Sequence, residues 1–272
     1  VQNLLRREVT AYASKATGMQ IQVERIDLRF PLNLLVRGVE VIQQPDTLLS
    51  LESLNVRVQA WPLLKGKVEV DEVTLSQVAV NSANLIEGMQ IKGVLGRFFL
   101  QSHGVDLSNE TAVVNRTELS DTHIQLLMTD TTTTPKDTTA SAPVNWKVNL
   151  HQLKLKNVSF GMKLPADSMK MAAYIGEATI DDAKADLKNQ FYGLKQFLLS
   201  GASASYDTGE AQPSEGFDAS HMAVRNIRIG LDSLLYEGRN MNAVIREITM
   251  EERSGLSITS LTGRLFSNDS II

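Results

Sequence analysis

LKLKNVSF (residues 153–160) sets apolar residues at alternate positions and then slips by one. Leu153 and Leu155 alternate with lysines, Lys156 and Asn157 interrupt, and Val158 and Phe160 resume on the other parity. MAVRNIRI (222–229) repeats the device, with Met222 and Val224, the polar pair Arg225-Asn226, then Ile227 and Ile229. Alternation aims one face of a strand at an apolar environment and the other at water. One extra residue sends every later side chain to the wrong face unless a bulge or tight turn absorbs it. The pattern therefore predicts bulges at Lys156-Asn157 and Arg225-Asn226 that twist and curl a continuous sheet.

The same unit recurs outward from these two copies. LLSLESLNVRVQAW (48–61) carries Leu49, Leu51, a slip, Leu54, Val56 and Val58. KVEVDEVTLSQVAVN (67–81) slips twice, with Val68 and Val70, then Val73 and Leu75, then Val78 and Val80. GLSITSLTGRL (255–265) has Leu256, Ile258, a slip and Leu261. Long amphipathic helices between strands, which parallel βαβ architecture needs, are few. In 1–17, Val1, Leu4, Leu5, Val9 and Tyr12 have helical spacing and Gly18 suits a helix stop, so a short amphipathic helix is expected. In 181–200, Leu187, Phe191, Leu194 and Leu198 suit a helix face, yet Ala183, Ala185 and Leu187 alternate; strand then turn is the preferred reading.

Composition divides the chain. The Thr-rich stretch 129–143 and the Ser/Gly-rich stretch 200–216 read as flexible loops. They separate a helix over 1–18 and sheet segments over 19–128, 144–199 and 217–272, the last two related through the opening motif. The expected fold is mainly β, an elongated, curled antiparallel or mixed sheet, with a filled two-sheet sandwich as the alternative.

Bulk properties exclude several functions. With 43% hydrophobic and 21% charged residues the 272-residue chain is a folded one. Net charge is −4 with the cations scattered, so no nucleic-acid surface is indicated. Aromatic residues are only 6%, too sparse for a stacking platform, and without cysteine there is no disulfide or thiolate metal site. No apolar run approaches the roughly 20 residues that span a bilayer. The chain opens on Val1 and reads as a piece of something longer.

No catalytic constellation emerges, so the protein is read as a non-enzyme without cofactor or metal. His103, His123, His151 and His221 are widely spaced and fit surface or loop positions. Asp181-Asp182 and Glu251-Glu252 are adjacent carboxylates, which a strand points to opposite faces, and solvated turn charges describe both pairs better than acid–base catalysis. Asp followed by Ser or Thr and then an aliphatic, Met or Thr residue looks like the O-glycosylation motif of surface and periplasmic proteins of the Bacteroides group. It marks Thr47, Thr131, Thr138, Ser168, Ser233 and Ser270 as candidate acceptors, although Asp-Ser and Asp-Thr are also ordinary turn formers.

TLLSLESLNVRVQAWPLLKGKVEVDEVTLSQVAVN (47–81) resembles the N-terminal region of the AsmA-like family, in particular its TamB branch in Bacteroides-type bacteria. The shared features are the D-T-L-L-S-L turn and strand, the L-L-K-G-K connection and an I/V-x-L-x-x-V-x-V strand. The segment 217–265, with its E-x-S-G-L turn at Glu252–Leu256, resembles the same branch. The resemblance implies a periplasmic β-groove (a "β-taco") with an apolar interior, held in the inner membrane by an anchor preceding Val1. It also implies phospholipid as cargo, a role in outer-membrane biogenesis, and a TamA-like outer-membrane barrel partner that meets a region outside this chain. The residues expected to line the groove are Val68, Val70, Val73, Leu75, Leu153, Leu155, Val158, Phe160, Val224, Ile227 and Ile229. The competing reading is a scaffold for outer-membrane protein assembly that pairs client strands at open sheet edges.

Overall fold

The computed structural model describes residues 6–7, 10–11, 14–15, 17–30, 32–61, 69–82, 85, 88–106, 109–128, 145–209 and 212–268. They form thirteen strands in chain order. The first six are β1 (Gln20–Arg29), β2 (Asn33–Gln43), β3 (Asp46–Val58), β4 (Val70–Asn81), β5 (Met89–Asp106) and β6 (Thr111–Met128). The rest are β7 (Lys147–Leu164), β8 (Met169–Asp186), β9 (Phe191–Leu194), β10 (Gln196–Asp207), β11 (His221–Glu237), β12 (Asn240–Glu252) and β13 (Ser257–Ser267).

All thirteen belong to one sheet whose spatial order follows the chain, except that the short β9 lies off the path and pairs with both β8 and β11. Neighbours are antiparallel, as hairpin connections dictate, apart from β6 and β7, which run parallel. That exception makes the sheet mixed. The chain between β6 and β7 contains the Thr-rich stretch expected to be a loop, and 129–144 lies outside the described residues.

Burial is shallow. The accessible surface is 17802 Å², where a compact protein of this mass exposes about 11,700 Å². The buried hydrophobic residues described are Ile26, Leu48, Ala112, Ala178, Ala202 and Ala243, and no described side chain is fully buried. A filled two-layer sandwich would bury its large aliphatics, so this sheet is not one.

Several expectations need correction. The strand β10 continues to Asp207, so the loop expected over 200–216 begins later. Its small residues hide an alternation of Ala202, Ala204 and Tyr206 against Ser203 and Ser205, and Ala202 is buried. Asp181-Asp182 sits inside β8 and not in a turn. The four histidines lie in strands, β5, β6, β7 and β11, where His103, His123 and His151 are exposed, in keeping with the surface positions expected. His221 is buried at 7% exposure, with Asp218 3.1 Å from its Nδ1. The expected helix over 1–18 falls largely on residues outside those described; Arg6, Arg7, Thr10, Ala11, Ser14, Lys15 and Thr17 have helical backbone. The strand-then-turn reading of 181–200 matches β8 and the turn over 187–190, after which β9 and β10 follow.

Candidate functional site: one apolar face crossed by seams

Cross-strand partners in a sheet share a face, so register converts the sequence alternation into a surface. One row of partners crosses twelve strands: Ile26, Val36, Leu54, Leu75, Phe98, Leu119, Leu155, Ala178, Leu199, Ile229, Ile248 and Leu261. Every member is apolar. Two residues along, a second row runs Leu28, Leu34, Val56, Val73, Leu100, Thr117, Leu153, Ile180, Phe197, Leu231 and Ile245. One row on the opposite face is polar from end to end, Arg29, Asn33, Arg57, Glu72, Gln101, Arg116, Gln152, Asp181 and Gln196, and the row beside it is polar apart from Leu35, Phe99 and Leu198.

The slips fall on a line. Between the Leu155 row and the next row, apolar but for the buried Thr122 (Val23, Val39, Leu51, Val78, Leu95, Thr122, Val158, Ile175), each strand carries a two-residue step. The steps include Gly38 on β2, Gln77 on β4, Asp121 on β6 and Asn157 on β7, all with positive φ, from 49° to 58°. Gly201 (61°) and Asn226 (54°) continue the series on β10 and β11. A left-handed residue turns the chain so that the following side chain returns to the original face, which keeps the apolar surface continuous across the step. Asn and Asp reach this conformation at lower cost than other residues with a Cβ, and Gly at least cost.

The expected bulge at Arg225-Asn226 is present as a register shift between Arg225 and Arg228. At Lys156-Asn157 there is none: Lys156 and Val158 keep unshifted partners on both neighbouring strands. There the left-handed Asn157 absorbs the slip alone, and its side-chain amide donates to Asp121 Oδ1 at 2.7 Å across the seam. Partner strands make room with glycine. A Cβ on Gly96 would lie 2.7 Å from the Asp121 Cβ, and one on Gly176 would lie 2.9 Å from the Gly201 carbonyl oxygen.

A second seam runs six residues away through His151 on β7 and Asp182 on β8, the latter at φ 50°. Asp182 accepts from Lys195 Nζ at 2.8 Å and lies 3.1 Å from His151 Nδ1. The Lys195 hydrogen bond first, and His151 after it, hold the Asp182 carboxyl below the usual carboxylate range.

Of the residues singled out in the sequence, Val68 lies outside the described residues. Val73, Leu75, Leu153, Leu155, Val158, Phe160, Val224 and Ile229 occupy apolar rows on one face. Val70, opposite Val58, and Ile227, opposite Ala202, belong to the same face by parity. Most are half-buried, while Ile124 and Phe160, direct partners in one row, are 39% and 42% exposed. Sequence reading passed over Phe98, Leu119 and Leu199. The slip between Leu95 and Phe98 was there to find the first of them.

A concavity of ≈990 Å³ lies against the other face. Most of its lining takes the opposite parity to the apolar rows, as in Ser159, Gly161 and Lys163 on β7, Lys170, Ala172 and Tyr174 on β8, and Ser203 and Ser205 on β10, while Phe160, Met162, Ala173, Ala204 and Val224 of the apolar parity also border it. Around it stand Lys92, Lys163, Lys170, Arg225 and Arg253 with one carboxylate, Asp207.

The E-x-S-G-L turn is built on Glu252, whose carboxylate accepts from the backbone N–H of Ser254 at 2.7 Å and of Ala223 at 3.2 Å. Hydrogen bonds from Ser254, its side chain and then its backbone, followed by those from Ala223 and Arg253, pull the Glu252 carboxyl down to about 2. Glu251 instead pairs with Arg225 at 3.1 Å, so the adjacent carboxylates have separate structural partners. Among the described residues no three His, Cys, Asp or Glu side chains gather as a metal site. Thr47 is exposed at the start of β3, Ser168 follows a one-turn 3-10 helix (Pro165–Asp167), and Ser233 pairs with Val244 within β11. Thr131, Thr138 and Ser270 lie outside the described residues. The chain matches no protein-family model and no curated protein sequence.

Proposed function

We propose that the apolar face is the interior of a curled β-groove that shields phospholipid acyl chains from water, as a segment of an AsmA-like, TamB-type periplasmic bridge. The observation that carries the reading is the unbroken apolar row through Leu155 in a sheet with no fully buried side chain among the described residues. A solvent-exposed acyl chain costs about 0.8 kcal/mol per methylene. A chain of about sixteen carbons therefore gains roughly ten kcal/mol, before entropy, on leaving water for such a surface. Aliphatic rows without a closed pocket suit sliding rather than tight retention. In this reading the protein acts without catalysis in the periplasm, between an inner-membrane anchor and an outer-membrane barrel partner, and supports outer-membrane biogenesis. A photoactivatable side chain tests it: at position 155 it should crosslink to phospholipid, and at 154, on the opposite face, it should not. Equal crosslinking at both positions would remove the support for a face-specific groove.

A second reading, strand addition by a client protein, draws on β13. This strand pairs only with β12 among the described residues, and it carries Leu261, Leu265 and Phe266 at 44–56% exposure. Proline at positions in β13 would block strand addition and leave acyl crosslinking at 155 unchanged.

A further inference from the structure

We infer that the concavity on the polar face is a second binding site, lined mainly by residues of the parity opposite to the apolar rows, for a single anionic amphiphile. Its volume of ≈990 Å³ is at the upper end of small-molecule sites, which run to about 1,000 Å³. Five cations and one carboxylate line it, in a chain whose net charge is −4. Lys163 and Lys170 are direct cross-strand partners, both exposed. Like charges placed directly opposite destabilise a sheet, and a bound anion is what turns the juxtaposition into an attraction. Asp207 is opposite Lys170 on the far side and is the only carboxylate among the described lining residues to offset the pair.

The floor explains the apolar half of the ligand. Gly161, Ala172, Ser205 and Ala223 are successive partners across β7, β8, β10 and β11, so a row of minimal side chains runs beside the lysine row. Tyr174, 40% exposed, stands one row further in, towards the seam. A short apolar body fits along the floor with its anionic head between Lys163 and Lys170. Lys92 on β5 and Arg225 on β11 flank it, although Arg225 is already paired with Glu251. The cations surround a hollow, which suits one molecule rather than a flat bilayer surface.

The test titrates the 272-residue chain with dodecyl phosphate below its micelle concentration, monitored by calorimetry, with inorganic phosphate and dodecyl maltoside as parallel probes. The expected result is saturable 1:1 binding of dodecyl phosphate, at least tenfold weaker binding of the other two, and loss of affinity with rising salt. Lys163→Glu should weaken dodecyl phosphate at least tenfold while leaving Tm unchanged or higher, because it replaces a like-charge pair with an opposite one. Lys163→Gln should weaken it less, again without unfolding, whereas Leu155→Asp should leave this affinity unchanged. Undiminished binding in Lys163→Glu, equal binding of dodecyl maltoside, or capture by phosphatidylglycerol vesicles without binding of monomeric dodecyl phosphate would each overturn the assignment. Because Leu155→Asp tests the other face, failure here leaves the groove reading standing, and the reverse also holds.

Discussion

Replacing Gly96 by alanine probes the seam where a strand backbone closely approaches its neighbour. The added Cβ would stand 2.7 Å from the Asp121 Cβ, 2.8 Å from the Asp121 carbonyl oxygen and 3.1 Å from the Ser120 carbonyl oxygen. None of these is the end of a flexible side chain, so relief requires β5 and β6 to separate or Asp121 to leave its left-handed conformation. Overpacking of this kind costs about 1–3 kcal/mol. Gly161→Ala is the control, since its Cβ would meet nothing closer than 3.8 Å. Its backbone is not left-handed, so the reduced entropy of the unfolded chain should make it neutral or stabilising by about 0.4–1 kcal/mol. The two variants should therefore differ by about 1–4 kcal/mol in urea denaturation followed by circular dichroism. Asp121→Gly also loses the hydrogen bond from Asn157, so it serves as its own reference: in that background Gly96→Ala should cost less than in the unaltered chain, because the Cβ contact is gone and only the carbonyl contacts remain. If Gly96→Ala and Gly161→Ala prove equally stable, the close approach at the seam does not hold the strands as described.

Asn157→Val should destabilise by about 1–2 kcal/mol from the left-handed backbone and by about 0.5–1.5 kcal/mol from the lost hydrogen bond to Asp121. Asn157→Gly should lose only the second contribution, which a parallel denaturation series would show. Glu252 supplies a pH dependence: its folded pKa of about 2 lies below the ordinary 4.5. Its contribution is thus full above about pH 4.5 and is lost as pH falls through about 2. Glu252→Gln should flatten the melting temperature between pH 5 and about 2 relative to the unaltered chain, and an unchanged slope would argue against the turn contacts at Ser254 and Ala223.

Much of the sheet was legible because alternation is a local signal. Leu153, Leu155, Val158 and Phe160 identify β7, and Asn at 157 and 226 marks the left-handed steps. At 157 the sequence pattern points to a bulge because a bulge and a single left-handed residue produce the same slip in sequence. Only the partner strand's register separates them. Small residues concealed β10, where serine and alanine alternate with little hydrophobic contrast. Pairing distant in sequence was illegible: nothing in residues 111–128 announces a parallel partner at 147–164. The cationic concavity was hidden for the same reason, since Lys92, Lys163 and Arg225 meet only through the register of intervening strands.

Native mass spectrometry of the gently desolvated protein, followed by lipid extraction, tests the central claim most directly. Co-purified phospholipid should persist in Lys163→Glu but disappear when Leu155 and Ile229 both become Asp, with the circular dichroism of the sheet retained. A well-folded protein without phospholipid, or phospholipid retained in the Leu155→Asp, Ile229→Asp variant, would contradict an acyl-shielding apolar face.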